Sequence, residues 1–316
     1  MKNKSLLIFI SLSLMIFLSS CIDREENLNE QDIWPEAKIT ETIVDTETNS
    51  WEMDSSKWEI MNHWSDIDDS QMMKKMLSDS PRHQERVEID NNWKSIHTFV
   101  VYPENKEKSS VVILIHENKG LNDWARSMAD QIAAEWYIVL APDLLSDFDE
   151  KRKKTSDFES PDDATEALYS LDQETISSDL EAVSKYAENI DSYNWNLVSA
   201  GFCWWGSQSF RFATETDDLK ASLVFYWTAP EDWEFFKDVD VPVYAFYWEN
   251  DERVNSTIEK TEEYMKENNK FYEYEIYPWA GHAFMRNAQS EWADEPTIEA
   301  RNNAFERMKK ILSEYK

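Results

Sequence analysis

Three residues stand in positions from which they could do covalent chemistry. Cys203 lies in G-F-C-W-W-G (201–206), between an apolar run and an amphipathic stretch. Asp251 lies in W-E-N-D-E-R-V (248–254), and His282 in W-A-G-H-A-F-M-R (279–286). A thiol, a carboxylate and an imidazole are the parts of a nucleophile, an orienting acid and a general base. A lone cysteine is usually a small core residue, and a lone loop His or Asp is usually solvated. The three together carry weight because each follows a β-rich run, in the order nucleophile, acid, histidine. A cysteine on a strand-to-helix elbow also faces the positive end of the helix, which predicts a thiol biased toward thiolate.

The elements that must position them read as an alternation of short β-rich runs and amphipathic helices from residue 80 onward. Strands are predicted at Ile96–Tyr102, Val111–His116, Tyr137–Ala141, Leu197–Ala200, Leu223–Tyr226, Val243–Tyr247 and Tyr272–Tyr277. Helices are predicted at Leu121–Glu135, Glu174–Ile190, Trp204–Thr214, Ser256–Asn268 and Ile298–Tyr315, with a short one near Ser70–Leu77. Such alternation implies a mostly parallel sheet with helices on both faces. The unbroken run Val111-Val112-Ile113-Leu114-Ile115 fits a strand buried on both sides. Active groups in such sheets gather beyond the carboxyl ends of the strands, where all three residues fall. The order and the elbow are those of an α/β-hydrolase fold.

Residues 80–316 resemble the dienelactone hydrolase family. The matching stretches are S-P-R-H (80–83), V-V-Y-P-E (100–104), I-H-E-N-K-G-L-N-D-W (115–124), L-A-P-D-L-L-S (140–146), G-F-C-W (201–204), Q-S-F-R-F-A (208–213), F-Y-W-E-N-D-E-R-V-N (246–255) and A-G-H-A-F-M-R (280–286). The resemblance implies a Cys203–His282–Asp251 triad that cleaves an ester or lactone. It gives Glu117 contact with the resting thiol and a part in making thiolate when substrate arrives. By analogy, the backbone N–H groups of Asn118 and Trp204 form the oxyanion hole, and Arg286 matches the family's arginine for a substrate carboxylate. His116 reads as structural. Asn118-Lys119 replaces the apolar pair more usual after H-E, so the substrate stays open. A broad carboxylesterase and a non-catalytic, surface-tethered binding protein are the alternatives. No metal-ligand spacing or phosphate-binding glycine loop is present, so no cofactor is inferred.

The N-terminus reads as an address. Lys2 and Lys4 precede an apolar Leu6–Leu18 and the sequence L-S-S-C ending at Cys21, the pattern of a secretory signal that resembles a bacterial lipobox. It implies removal of residues 1–20 and acylation of Cys21, giving an exported protein held at the cell envelope through its lipid. Residues 21–79 read as an acidic tether. Lys+Arg number 32 and Asp+Glu 63, a formal charge of −31, which argues against nucleic acid and anionic lipid as partners; the small-molecule ester or lactone substrate is what the resemblance implies. The contexts of the two cysteines predict no disulfide.

Composition holds an anomaly. There are 4 glycines and 15 tryptophans; together they approach the roughly 22 glycines that average usage of about 7% predicts. Trp136, Trp195, Trp205, Trp227, Trp248 and Trp279 stand where turns or the elbow favour glycine, and an indole there costs of order 1–3 kcal/mol each in strain. Trp51, Trp58 and Trp64 sit in the polar tether, where aromatics are out of place. UGA is read as Gly in some bacterial lineages and as Trp in another variant code. The pattern therefore predicts glycine at most of these positions in the organism, with Trp124 and Trp204 as true tryptophans.

Overall fold

The computed structural model describes residues 70–230 and 233–316; the leader, Cys21 and the tether up to residue 69 lie outside the described residues. Residues 70–79 form a helix, α1. Its Met73 is buried in the same cluster as Phe99, Val112 and Met128. The packed part of the chain therefore begins before residue 80, inside the segment read as tether.

Eight strands form one sheet: β1 (Gln84–Asn91), β2 (Lys94–Val101), β3 (Ser109–Ile115), β4 (Ile138–Pro142), β5 (Tyr193–Phe202), β6 (Leu219–Phe225), β7 (Val243–Trp248) and β8 (Tyr272–Tyr277). Their spatial order is β1-β2-β4-β3-β5-β6-β7-β8. The pairs β1/β2 and β2/β4 are antiparallel, and all later pairs are parallel. This is the mostly parallel sheet expected. β3 explains it in miniature: every residue is buried, with Val112 and Leu114 in one cluster and Val111, Ile113 and Ile115 in the other. Alternate side chains feed opposite faces, so the strand must be apolar throughout.

Helices cover both faces. α2 (Asp123–Ala133) and α9 (Glu295–Ser313) lie on the Val112 side, through Trp124, Met128 and Ile132 of one and Ala300, Ala304 and Met308 of the other. Both triplets repeat every fourth residue, which keeps them on one helix face. α4 (Gln173–Ala187) lies on the Val111 side through Ile176, Leu180 and Val183. Asn122, Asp172 and Asp294 cap these three helices by accepting backbone N–H groups of the first turn.

Several elements differ from expectation. β1 was not foreseen, although Val87 and Ile89 alternate with polar residues. It is tied down by Lys94 at the head of β2, which pairs with Asp179 of α4, both nearly fully buried. Asn91 Nδ2 also donates to Asp179 Oδ1 at 2.8 Å. α3 (Pro161–Tyr169), capped by Ser160, was likewise missed. The helix expected over 256–268 is α7 (Ile258–Glu267), and a separate one-turn helix, α6 (Glu252–Asn255), precedes it. α9 starts at Glu295, not 298, because Asp294 caps it and Pro296 fits its first turn.

Candidate active site

Cys203 joins β5 to α5 (Trp204–Glu215) with φ 59° and ψ −141°. A non-glycine residue in this region is strained by order 1–3 kcal/mol, and the surroundings hold it there. Its N–H donates to the Phe225 carbonyl at 3.1 Å, and its carbonyl accepts from Gly206 N–H at 2.6 Å. Gly201 is required here: a Cβ at that position would run into the Trp205 carbonyl. The elbow turns the thiol toward the loop after β8, where Cys203 Sγ lies 3.3 Å from His282 Nε2.

Three features hold His282. Asn287 Nδ2, in the one-turn helix α8 (Phe284–Asn287), donates to the His282 carbonyl at 2.8 Å. Ala283 takes a left-handed φ of 57°. The imidazole meets Trp248 and Tyr226 edge-on, at centroid distances of 4.7 and 5.6 Å. Asp251 follows β7 and caps α6, its Oδ1 accepting from Val254 N–H at 3.1 Å. Its Oδ2 is buried and has no hydrogen-bond partner among the described residues. A buried carboxylate oxygen without a donor is costly, and Asp251 acts electrostatically on His282.

Burial lowers the His282 pKa below its ordinary 6.5; the Asp251 charge opposes this, while Arg286 and Arg253 add to it. The imidazole is thus neutral near pH 7 and able to accept a proton. Burial pushes the Cys203 thiol up to about 12; Glu117 adds to the rise, and the Trp204 backbone N–H, Arg286 and Arg253 oppose it. The bias toward thiolate expected from the helix terminus is therefore outweighed. Desolvation and one buried carboxylate outweigh the helix end. The raised thiol and lowered imidazole pKa values both favour the neutral pair in the resting site.

Glu117 follows β3 and is fully buried. Its Oε1 accepts from the Tyr226 hydroxyl at 2.6 Å, and its Oε2 lies 3.4 Å from Arg286 Nε. The resemblance implied contact with the thiol; instead the two oxygens face Tyr226 and Arg286, and the sulfur's partner is His282. Burial raises the Glu117 pKa, with Arg286 and Tyr226 pulling the other way. Arg286 thus serves as the counter-ion of Glu117.

Gly120 closes the turn after Glu117 with φ 70°, and a Cβ there would strike the Thr155 side chain. The turn's backbone bonds run from Gly120 N–H to the Glu117 carbonyl and from Asn122 N–H to the Gly120 carbonyl. The Asn118 carbonyl accepts from Thr165 Oγ1 at 2.8 Å. None of these three bonds uses the Asn118 N–H. His116 is structural, as expected: Nδ1 donates to the Glu117 carbonyl at 2.8 Å and Nε2 accepts from Leu144 N–H at 3.3 Å.

Tyr226 was missed. It directly follows β6 with a left-handed φ of 43° and is completely buried. The signal was present: it is a polar aromatic at a strand's carboxyl end, the rule that selected the other three.

The sheet order and the strand–nucleophile–helix elbow define an α/β-hydrolase. The chain belongs to the dienelactone hydrolase family, whose model matches residues 96–316. A protein of Saccharolobus solfataricus named "Putative carboxymethylenebutenolidase" is 27% identical over 267 residues, 72% of this chain and 98% of that protein. Among solved structures, the "Putative Dienelactone Hydrolase" of Klebsiella pneumoniae superposes with a TM-score of 0.62 at 20% identity, over 72% of this chain and 96% of the other. A dienelactone hydrolase-like promiscuous phosphotriesterase from metagenomic libraries gives 0.63 at 17% identity, over 74% and 98%. At these identities the structures speak for the fold alone.

Proposed function

We propose that this hydrolase cleaves an ester or lactone through a Cys203 acyl-enzyme, with His282 as base and Asp251 as orienting acid. The observation that carries the reading is the 3.3 Å contact between Cys203 Sγ and His282 Nε2 on a strained elbow.

Resting Cys203 is a thiol, so activation is coupled to substrate. An anionic group on the substrate draws Arg286 toward itself and off Glu117. Glu117 is then a buried carboxylate with fewer partners and a higher proton affinity; once it has taken a proton from solvent it no longer raises the Cys203 pKa, and His282 Nε2, 3.3 Å from the sulfur, takes the thiol proton. The sulfur attacks the carbonyl carbon, and the oxyanion is received by the N–H groups of Trp204 and Asn118. The tetrahedral adduct collapses; His282 protonates the departing alkoxide, and a thioester remains on Cys203. Water, deprotonated by His282, attacks the thioester and restores the thiol. Asp251 stabilises the imidazole's cation through its charge, and its partnerless Oδ2 is the acceptor that fixes the tautomer once the His282 ring N–H swings onto it.

The test is a panel of small aryl esters and lactones, run on the wild type and on Cys203→Ala. The reading expects hydrolysis to fall by roughly 10³-fold or more in the variant; activity unchanged in Cys203→Ala overturns it. The ratio of lactone to open-ester turnover separates a lactonase from a broad carboxylesterase.

The protein is further proposed to be exported and anchored at the cell envelope by acylation of Cys21. Support comes from Lys2, Lys4, the apolar Leu6–Leu18 and the L-S-S-C sequence. Metabolic labelling with a fatty acid should mark the wild type and not Cys21→Ser; equal labelling of both overturns the anchor.

A further inference from the structure

Nine non-glycine residues among those described have φ in the left-handed region. Three are Asn92, Asp147 and Asn269, the residue types whose short polar side chains tolerate it. Three more, Cys203, Tyr226 and Ala283, surround the candidate active site, where strain is retained. The remaining three are all tryptophan: Trp136 at φ 77°, Trp195 at 71° and Trp279 at 61°.

None of these three indoles is buried; they are 46%, 60% and 73% exposed. Each backbone position has the geometry of a glycine. Trp136 ends the three-residue turn that stops α2, its N–H donating to the Ala133 carbonyl at 3.1 Å, where helices favour a left-handed glycine. Trp195 lies in a bulge of β5. Two residue steps on β3, from Ser109 to Val111, face four on β5, from Tyr193 to Leu197. Trp279 is in the turn leading to His282, its N–H donating to Glu249 Oε2 at 3.1 Å. Trp124 is the contrast: 3% exposed, in a helix, and edge-on to Phe202 at 5.4 Å.

We infer that the organism inserts glycine at positions 136, 195 and 279, the three share a codon, and that codon is UGA. A random scatter of tryptophans would not fall on every left-handed position that neither residue type nor the active site explains. The scarcity of glycine, 4 in 316 residues beside 15 tryptophans, has the same source. The consequence reaches the site. Where codons 227 and 248 share the assignment, the indoles now at 6.5 and 4.7 Å from the His282 ring give way to open space above the imidazole, in reach of substrate.

The coding DNA and the organism's own protein test this together. The expected result is UGA at codons 136, 195 and 279, UGG at codons 124 and 204, and glycine in peptides of the native protein spanning the first three. UGG at those codons, or tryptophan in those peptides, overturns the inference. Stability gives a second reading on the chain as written. Trp136→Gly, Trp195→Gly and Trp279→Gly should each raise Tm by roughly 2–4 °C, for relief of about 1 kcal/mol in a domain of this size. Trp124→Gly should lower it. A fall in Tm for all three turn variants counts against glycine geometry at these sites.

Discussion

The Tyr226 hydroxyl donates to Glu117 Oε1 at 2.6 Å, tying the end of β6 to the residue after β3 beneath the nucleophile. Both groups are fully buried, so the bond stands in for water that cannot reach the carboxylate. Tyr226→Phe should destabilise the protein by about 1.5–3 kcal/mol, the range for a hydrogen bond to a charged group. Denaturant unfolding checks it; an unchanged midpoint would mean Glu117 is protonated in the folded state.

Glu117 also makes stability depend on pH. Its folded pKa is raised above 4.5 by burial. The folded state therefore holds this proton more tightly than the unfolded chain, and stability falls as pH rises from 4.5 through the folded value. Glu117→Gln removes that slope. Unfolding free energies of wild type and variant should diverge in the variant's favour as pH rises, and parallel curves would contradict the assignment.

The raised thiol pKa predicts slow alkylation of Cys203 in the resting enzyme. The thiolate fraction should climb about tenfold per pH unit from roughly pH 8 to pH 11 before levelling near its pKa of about 12. Iodoacetamide labelling followed by peptide mass measurement reads the curve. Because Glu117 is the second cause of the rise, Glu117→Gln should move the curve to lower pH. A plateau already reached near neutrality would show a resting thiolate.

Asp251 pulls the His282 pKa upward against burial. Asp251→Asn should therefore shift the acid limb of kcat/KM, which already lies below pH 6.5, further down. It should also lower kcat by roughly 10²–10⁴-fold through loss of the imidazole's orientation and charge partner. A fall in kcat with no movement of the limb would separate orientation from charge.

The buried Lys94–Asp179 pair fastens the antiparallel edge of the sheet to α4. Lys94→Ala leaves Asp179 charged and buried with only Asn91 as donor from β1, at a cost of about 3–5 kcal/mol. The penalty should shrink in acid, since burial already raises the Asp179 pKa. A loss under 1 kcal/mol at neutral pH would show the pair to be dispensable.

The parallel part of the sheet and three of the site residues were legible because buried strands are apolar at every position and chemistry sits at their ends. Cys203 and Asp251 follow such buried runs, while His282 follows β8, where glutamates alternate with aromatic residues. β1 was illegible because only Val87 and Ile89 mark it, and its anchor, Lys94 to Asp179, joins residues far apart in sequence. The partnership of Glu117 with Tyr226, 109 residues away, is likewise a product of packing. The raised pKa of the thiol was not legible because a helix terminus is a local feature. The desolvation that overrides it depends on what the fold places around the sulfur.

If Cys203 attacks the substrate, a thioester forms on its sulfur and can be trapped. The protein is mixed with a small activated acetate ester, quenched in acid during turnover and mapped by peptide mass spectrometry. One acetyl group is expected on the peptide containing Cys203, released by hydroxylamine as a thioester and absent from Cys203→Ala. Acetyl found on another residue during turnover, or full turnover by Cys203→Ala, would contradict it.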